Sequence, residues 1–401
     1  MSELDILLDP ATIRERTRLV LDRAQDGGTA FRVHTDRLQA CADLVLEITR
    51  RTYPDGVVPY HGRYEHFRAG GIDRVLHLER ALGYLTPDQR RRSLVDLVVV
   101  SVLLDAGAGD AWRFFESDYG GGTFTRSEGL AVASFNLFIR GAFSHDARHP
   151  YQVTAAGLAR LTGDALARGF QATPENPLDG LDGRFALLGR LGQAMRAWPR
   201  IGSDQSRPSH LVDTLIAASR SKQIAASALL RSLLVNLSGV WTPRVSIDGV
   251  GFGDVWPYFG PAPSEWVPFH KLSQWLAYSL IEPIESAGVA VVDVDALTGL
   301  PEYRNGGLFL DTGVLELRDP GMAGSTFEVS DPLVIEWRAL TVQLLDEVAV
   351  VMRKTLGRTS AELPLARVLQ GGTWAAGREI ARRLRPDGGP PLKIVSDGTV
   401  F

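Results

Sequence analysis

The chain has 401 residues, 45% of them hydrophobic, and its 43 Lys and Arg against 47 Asp and Glu leave a formal net charge of −4. That length and apolar share suffice for a sizeable core. The near-neutral balance excludes a general nucleic-acid binder, whose phosphate contacts require a basic surface, but not a small phosphorylated ligand, which a few arginines can hold.

A single cysteine, Cys41, rules out a disulfide framework, and its place on an apolar helical pattern makes it a small buried hydrophobe rather than a thiol nucleophile. The first ten residues are mixed and acidic, without a basic flank before an apolar run, so no signal peptide is expected. The longest apolar run, residues 97–104, is broken only by Ser101 and falls far short of the roughly 20 residues of a membrane span. The expectation is a soluble cytoplasmic protein.

Residues 11–26 and 36–51 place Ile13, Leu19 and Val20, then Leu38, Leu44, Val45 and Ile48, at helical spacing. Tyr53-Pro54-Asp55-Gly56 ends the second helix. The next stretch, Val58-Pro59-Tyr60-His61-Gly62-Arg63-Tyr64-Glu65-His66-Phe67, has neither helical nor strand period. An ordered loop rich in His, Arg and aromatics is a binding-site candidate, because a rigid scaffold can aim such side chains. Thr86-Pro87-Asp88 begins a helix that is apolar nearly all round over residues 94–104 and therefore central. Asp96 and Asp105 bracket that run, each either at a helix edge or buried with a partner.

Tyr119-Gly120-Gly121-Gly122-Thr123-Phe124 precedes a capping-box spacing from Thr125 to Glu128 and a helix over residues 129–140. The loop lacks the Gly-Lys-Ser/Thr of a P-loop. It is either a plain helix start or a place where backbone N–H groups and Arg126 meet an anion. Further helices are predicted over 154–169, 178–198, 209–219, 222–237, 268–286, 332–356 and 373–384. A hairpin is expected around residues 245–247. Residues 289–294 read as a strand that pairs with 308–310 and 314–317, and residues 391–401 as a closing hairpin around Asp397-Gly398. The fold class is mainly α: one large helical domain over residues 1–401 with a small antiparallel sheet in its C-terminal half.

No His-Glu-x-x-His pair, Gly-x-Ser-x-Gly elbow or Gly-x-Gly-x-x-Gly after a strand occurs, so neither metal nor cofactor is expected. What remains is carboxylates, cations and aromatics. Asp254, Glu302, Asp311 and Glu336 stand with Lys271, Arg304 and Arg338 in a half rich in Gly, Trp and Tyr. They form either an internal salt-bridge network or a pocket that cleaves a glycosidic or related bond, in which a carboxylate stabilises positive charge on a sugar carbon while a second group activates water. Trp256, Tyr258, Trp275 and Tyr303 are the candidate walls.

Several segments resemble a uracil-catabolism protein family of fungi and bacteria, formerly a domain-of-unknown-function family. They are Pro59 to Phe67, Arg126-Ser127-Glu128-Gly129-Leu130-Ala131-Val132-Ala133-Ser134, Trp266 to Leu276, Pro301-Glu302-Tyr303-Arg304-Asn305-Gly306-Gly307 and Ser396-Asp397-Gly398-Thr399-Val400-Phe401. They span nearly the whole chain. Gly62 stands where that likeness leads one to expect serine. The resemblance implies a pyrimidine route through a uracil nucleotide and a ring-opening step to ribosylurea, urea and a three-carbon acid. Phe269-His270-Lys271-Leu272-Ser273-Gln274 is also similar to the Asp-Tyr-Arg-x-Pro-Gln pattern of queuosine-salvage N-glycosylases, with Phe269 in place of the acid.

The resulting expectation is an N-glycoside hydrolase that releases urea from ribosylurea or its 5-phosphate, with Asp311, Glu302 or Asp254 as catalytic carboxylate. His270 or Lys271 would contact the leaving ureido group, and Arg63, Arg126 and Arg304 would hold ribose or phosphate oxygens. His61, Glu128, Gln274, Tyr303, Asn305, Glu336 and Arg338 complete the expected substrate-binding set. A hydrolase of an amide or ureido bond in the ring-opened nucleotide and a non-catalytic binder of a uracil derivative are the alternatives. The expected partner is a small ribosyl compound, not nucleic acid or membrane.

Overall fold

The computed structural model describes residues 2–105, 107–198, 206–219 and 221–395. Helices dominate, and the β-branched runs are too short to make one sheet: the described strands form six two-stranded ladders, four antiparallel and two parallel.

The fold is mainly α with small β elements, as expected, but residues 289–294 do not pair with 308–310 and 314–317. Ala290–Val292 pairs in parallel with Gln223–Ala225, and Leu315–Leu317 pairs antiparallel with Phe31–Val33. Residues 308–310 belong to the Tyr303–Asp311 helix. Three apolar residues in a row fit a buried strand and a buried helix equally well. Here the Glu302 carboxylate decides, because it accepts the N–H groups of Arg304 and Asn305 and so starts a helix. The hairpin of Val245–Ile247 with Val250–Phe252 forms as expected. Lys393–Val395 pairs in parallel with Thr326–Glu328, and the expected turn at Asp397-Gly398 lies outside the described residues.

The Pro87–Leu103 helix is buried on all sides from Leu94 to its end. It packs between the Lys271–Glu285 and Arg126–Ile139 helices. Asp96 lies fully inside and has partners there: Arg207 Nε at 2.8 Å and the backbone N–H groups of Val153 and Ser209. The Pro332–Leu356 helix is the second axis, against Pro10–Gln25 and Leu38–Thr52. Cys41 is buried on the latter helix, and burial pushes its thiol up to about 12. No helix among the described residues is long and apolar enough to cross a membrane.

Asp254 joins two distant parts of this framework. Its oxygens receive both terminal nitrogens of Arg338 at 2.7 Å, the Trp256 indole N–H at 2.8 Å and the Lys271 backbone N–H at 3.0 Å. Burial pushes its carboxyl up, but Arg338 and these donors outweigh burial and hold it well below the usual carboxylate range. Asp254→Asn removes the charge facing Arg338 and is expected to lower the unfolding free energy by about 3–5 kcal/mol in urea titration at pH 7. A depressed carboxyl stabilises above its unfolded value and loses that contribution as pH falls, so the difference from wild type shrinks below about pH 4.

Candidate functional site

Arg63 is wholly buried, so its donors must be met inside the protein. Nε donates to Ser101 Oγ at 2.7 Å, Nη2 to the Ser101 carbonyl at 3.2 Å and Nη1 to the Ser127 carbonyl at 3.1 Å. Nη1 also lies 3.1 Å from Asp105 Oδ1. One side chain thereby ties the Arg63–Phe67 helix to the end of Pro87–Leu103 and to the start of Arg126–Ile139. Gly62 makes the approach possible. A Cβ at that position would sit 3.0 Å from Ser279 Cα, while the Ser279 hydroxyl accepts the Arg63 N–H at 3.0 Å. The glycine where serine was expected is thus a close backbone contact.

Two histidines flank this arginine. His66 Nδ1 is 3.2 Å from Arg63 Nη1, and its ring lies 5.9 Å from that of Trp275. Burial, then Arg63 and His61, hold its pKa well below the ordinary histidine value. His61 Nδ1 donates to Gln370 Oε1 at 2.9 Å. Gln370 sits on the π-helical turn Leu369–Thr373, a distortion that recurs at functional sites.

Lys271 opens the Lys271–Glu285 helix, and its ammonium has no hydrogen bond or ion pair among the described residues. Burial, then Arg338, bring it down to about 8 despite the opposing charges of Glu302, Asp254 and Asp105. Glu302 accepts Arg304 N–H at 2.8 Å and Asn305 N–H at 2.6 Å. Burial still raises its carboxyl, against those bonds and the charges of Lys271 and Arg304. Arg304 donates Nη1 to the Gly388 carbonyl at 2.8 Å, while its buried Nε and the Oδ1 of Asn305 have no partner among the described residues. Gly377 lets the Trp374–Leu384 helix reach this helix start, since a Cβ there would meet the Arg304 carbonyl at 2.0 Å. Arg378, one residue on, is lowered by burial, then by Arg382 and Arg304, and also feels Glu128 and Arg126.

Charge–charge influence links these groups into a ring that runs from Arg63 and Asp105 to Lys271, Glu302, Arg304, Arg378, Arg126 and Glu128, and back through Ser127. With Asp110, the partner of Arg126, five cations meet four carboxylates, and the one positive charge left over suits an anionic ligand. A separate cavity of about 340 Å³, lined by Asp73, Glu79, Glu282 and Glu285 against Arg68, has the opposite sign. Among the described residues no group of three His, Cys, Asp or Glu could hold a metal ion.

Other residues of the expected site are engaged elsewhere. Asp311 ends the Tyr303–Asp311 helix in a two-pronged pair with Arg385 at 2.7 and 2.5 Å. Glu336 accepts the Tyr258 hydroxyl and the Ala30 N–H, both at 2.7 Å. His270 Nε2 lies 2.9 Å from the Leu7 carbonyl, and Gln274 accepts the Thr298 N–H at 2.9 Å. Asp254 and Arg338 hold each other, and Phe269 packs under the Arg338 guanidinium at 4.1 Å. Tyr303 lies under its neighbour Arg304 at 4.8 Å. The expected capping box at Thr125 does not form. Instead Arg126 takes a left-handed φ of 53° and reaches Asp110 at 3.6 Å. Asp105, left open between a helix edge and a buried pair, takes Arg63 as its partner, while His66 and Arg378 join the ring without having been expected at the site. His66 had a signal in the segment of His61 and Arg63, and Asp105 in its place at the end of the central apolar run; Arg378 had none.

A family profile described as a protein of unknown function (DUF1688) matches residues 6–401. The chain belongs to the DUF1688 family. "Uracil catabolism protein 4" of Lachancea kluyveri is 38% identical over 429 residues, covering 98% of this chain and 97% of its own length. "Protein urg3" of Schizosaccharomyces pombe is 39% identical over 404 residues, covering 98% of each. In this DUF1688 chain every segment of the ring lies within the matched residues.

Two outcomes test the ring. Sulfate, whose charge is constant over the range, should bind about tenfold more weakly at pH 9 than at pH 7 by calorimetry, as Lys271 loses its proton near 8, and Lys271→Met should flatten that dependence. Gly377→Ala should separate the two helices, lower thermal stability by roughly 3 kcal/mol or more and abolish the sulfate site, whereas Asp311→Asn should leave sulfate binding intact.

Proposed function

We propose that this chain acts in uracil catabolism as a hydrolase of the N-glycosidic bond of ribosylurea or its 5-phosphate, releasing urea. The names of its relatives support the pathway. The observation that carries the reaction is the grouping of Asp105, Glu302 and Lys271 inside a cationic ring. Two carboxylates in different surroundings suit two roles, one that faces the forming cation and one that carries the proton.

As the C1′–N bond breaks, its electron pair leaves with the ureido nitrogen and the ribosyl carbon becomes cationic. Asp105, held by Arg63, faces that positive charge. Glu302, whose proton affinity is raised, takes a proton from the attacking water and passes it to the departing nitrogen. Lys271 contacts the ureido group. Arg126, Arg304 and Arg378 hold ribose hydroxyl or phosphate oxygens through charge-assisted hydrogen bonds.

Incubation of the purified protein with ribosylurea and with its 5-phosphate should release urea from one or both. Glu302→Gln and Asp105→Asn should each lower the rate by about 100-fold or more. Glu302→Gln should cost roughly 1 kcal/mol of stability through the weakened helix cap. Absence of urea with both compounds refutes the proposal, and ammonia in its place marks cleavage of the ureido bond instead.

A further inference from the structure

We propose that the Nε2–H of His66 is a hydrogen-bond donor to the carbonyl oxygen of the leaving group, an assignment that rests on the hydrolysis proposed above. A guanidinium has five donors and no acceptor, so Arg63 can only donate to His66 Nδ1. The remaining imidazole proton is therefore on Nε2. That N–H has no partner among the described residues, and the residue is only half-buried. Its direction is set by Arg63, which Ser101, Ser127 and Asp105 hold in place. The ring packs beside Trp275, and Lys271 lies one helical turn before Trp275 on the same face. His66 and Lys271 thus lie toward the same face of that helix, and a carbonyl oxygen placed between them has two lone pairs to receive both.

The chemistry asks for such a donor. When the C1′–N pair leaves with the ureido nitrogen, its charge spreads onto the ureido oxygen, and a donor aimed there binds the transition state more strongly than the ground state. Donation from the Arg63 cation to Nδ1 polarises the ring and strengthens Nε2–H as a donor. His66 keeps its proton throughout: the nitrogen is protonated from Glu302, which received that proton from the water now bonded to C1′. Ribosylurea and water become ribose and urea with nothing left over. The neutral imidazole, its charged form opposed by burial and Arg63, suits a donor that never transfers its proton.

The test separates leaving-group assistance from packing. His66→Ala should lower urea release from ribosylurea or its phosphate about 100-fold. It should change cleavage of 4-nitrophenyl riboside, whose phenolate departs without help, by less than about threefold. His66→Gln, which carries an N–H near the same place, should restore part of the loss. Equal losses on both substrates, or none, overturn the assignment. Spectra of the wild-type protein with 15N-labelled histidine should show His66 as the neutral, Nε2-protonated form from pH 5.5 to 8, with the Nε2 signal displaced by ribosylurea. If neither substrate is cleaved, the hydrolysis reading fails by itself. The spectra still decide the donor, since an undisplaced signal ends it.

Discussion

A guanidinium with no exposed surface persists only where its donors are met, and that demand on Arg63 fixes the centre of the molecule. The acceptors come from the end of one helix, Ser101 and Asp105, and the start of another, the Ser127 carbonyl. The network extends inward, because the Ser101 hydroxyl, having accepted from Arg63, donates to Ser134 Oγ at 2.7 Å, which donates to the Ala131 carbonyl. A shift of any of these segments would strand a buried donor at about 1–3 kcal/mol. The positions of Asp105 and His66 are therefore set by core helices rather than by loose loops.

Two glycines let the ring close. Gly62 brings Arg63 against the backbone of the Lys271–Glu285 helix, and Gly377 brings Arg378 against the start of Tyr303–Asp311. Neither takes a left-handed φ; each is needed for the absent Cβ alone. Left-handed backbone occurs instead at Arg126 and His270, where larger residues adopt it at the entry to two helices of the site. Such strain persists where its surroundings over-determine the conformation, and His270 is held by Leu7 and by the Asp254 carbonyl.

The helical character and most helix positions were legible because apolar spacing over ten or more residues encodes a buried stripe. The segments around His61 and Arg63, and around Glu302 and Arg304, were legible because charge, aromatic rings and turn formers cluster there locally. The carboxylates were not separable. Asp254 finds Arg338 84 residues away and Asp311 finds Arg385 74 away, and no local pattern marks such partners. Nearness in sequence misled in the same way at His270, adjacent to Lys271 but turned toward Leu7 by its backbone. Asp105 shows the converse, since only the fold brings it to Arg63.

The difference between the two kinds of carboxylate bears directly on chemistry. Asp254 and Asp311 each grip both prongs of an arginine, so protonation or movement would break a strong pair, and a group so bound makes a poor acid or base. Glu302 is bound by backbone N–H groups, which fix its position without supplying a full counter-charge, and burial then raises its affinity for a proton. Asp105 has the Arg63 guanidinium within 3.1 Å, but among the described residues no hydrogen bond reaches its Oδ1. A carboxylate fixed by backbone donors, with its proton affinity raised by burial and a buried lysine nearby, is suited to proton transfer. That contrast, rather than the number of acids in the chain, makes the ring around Arg63 the place where a reaction fits.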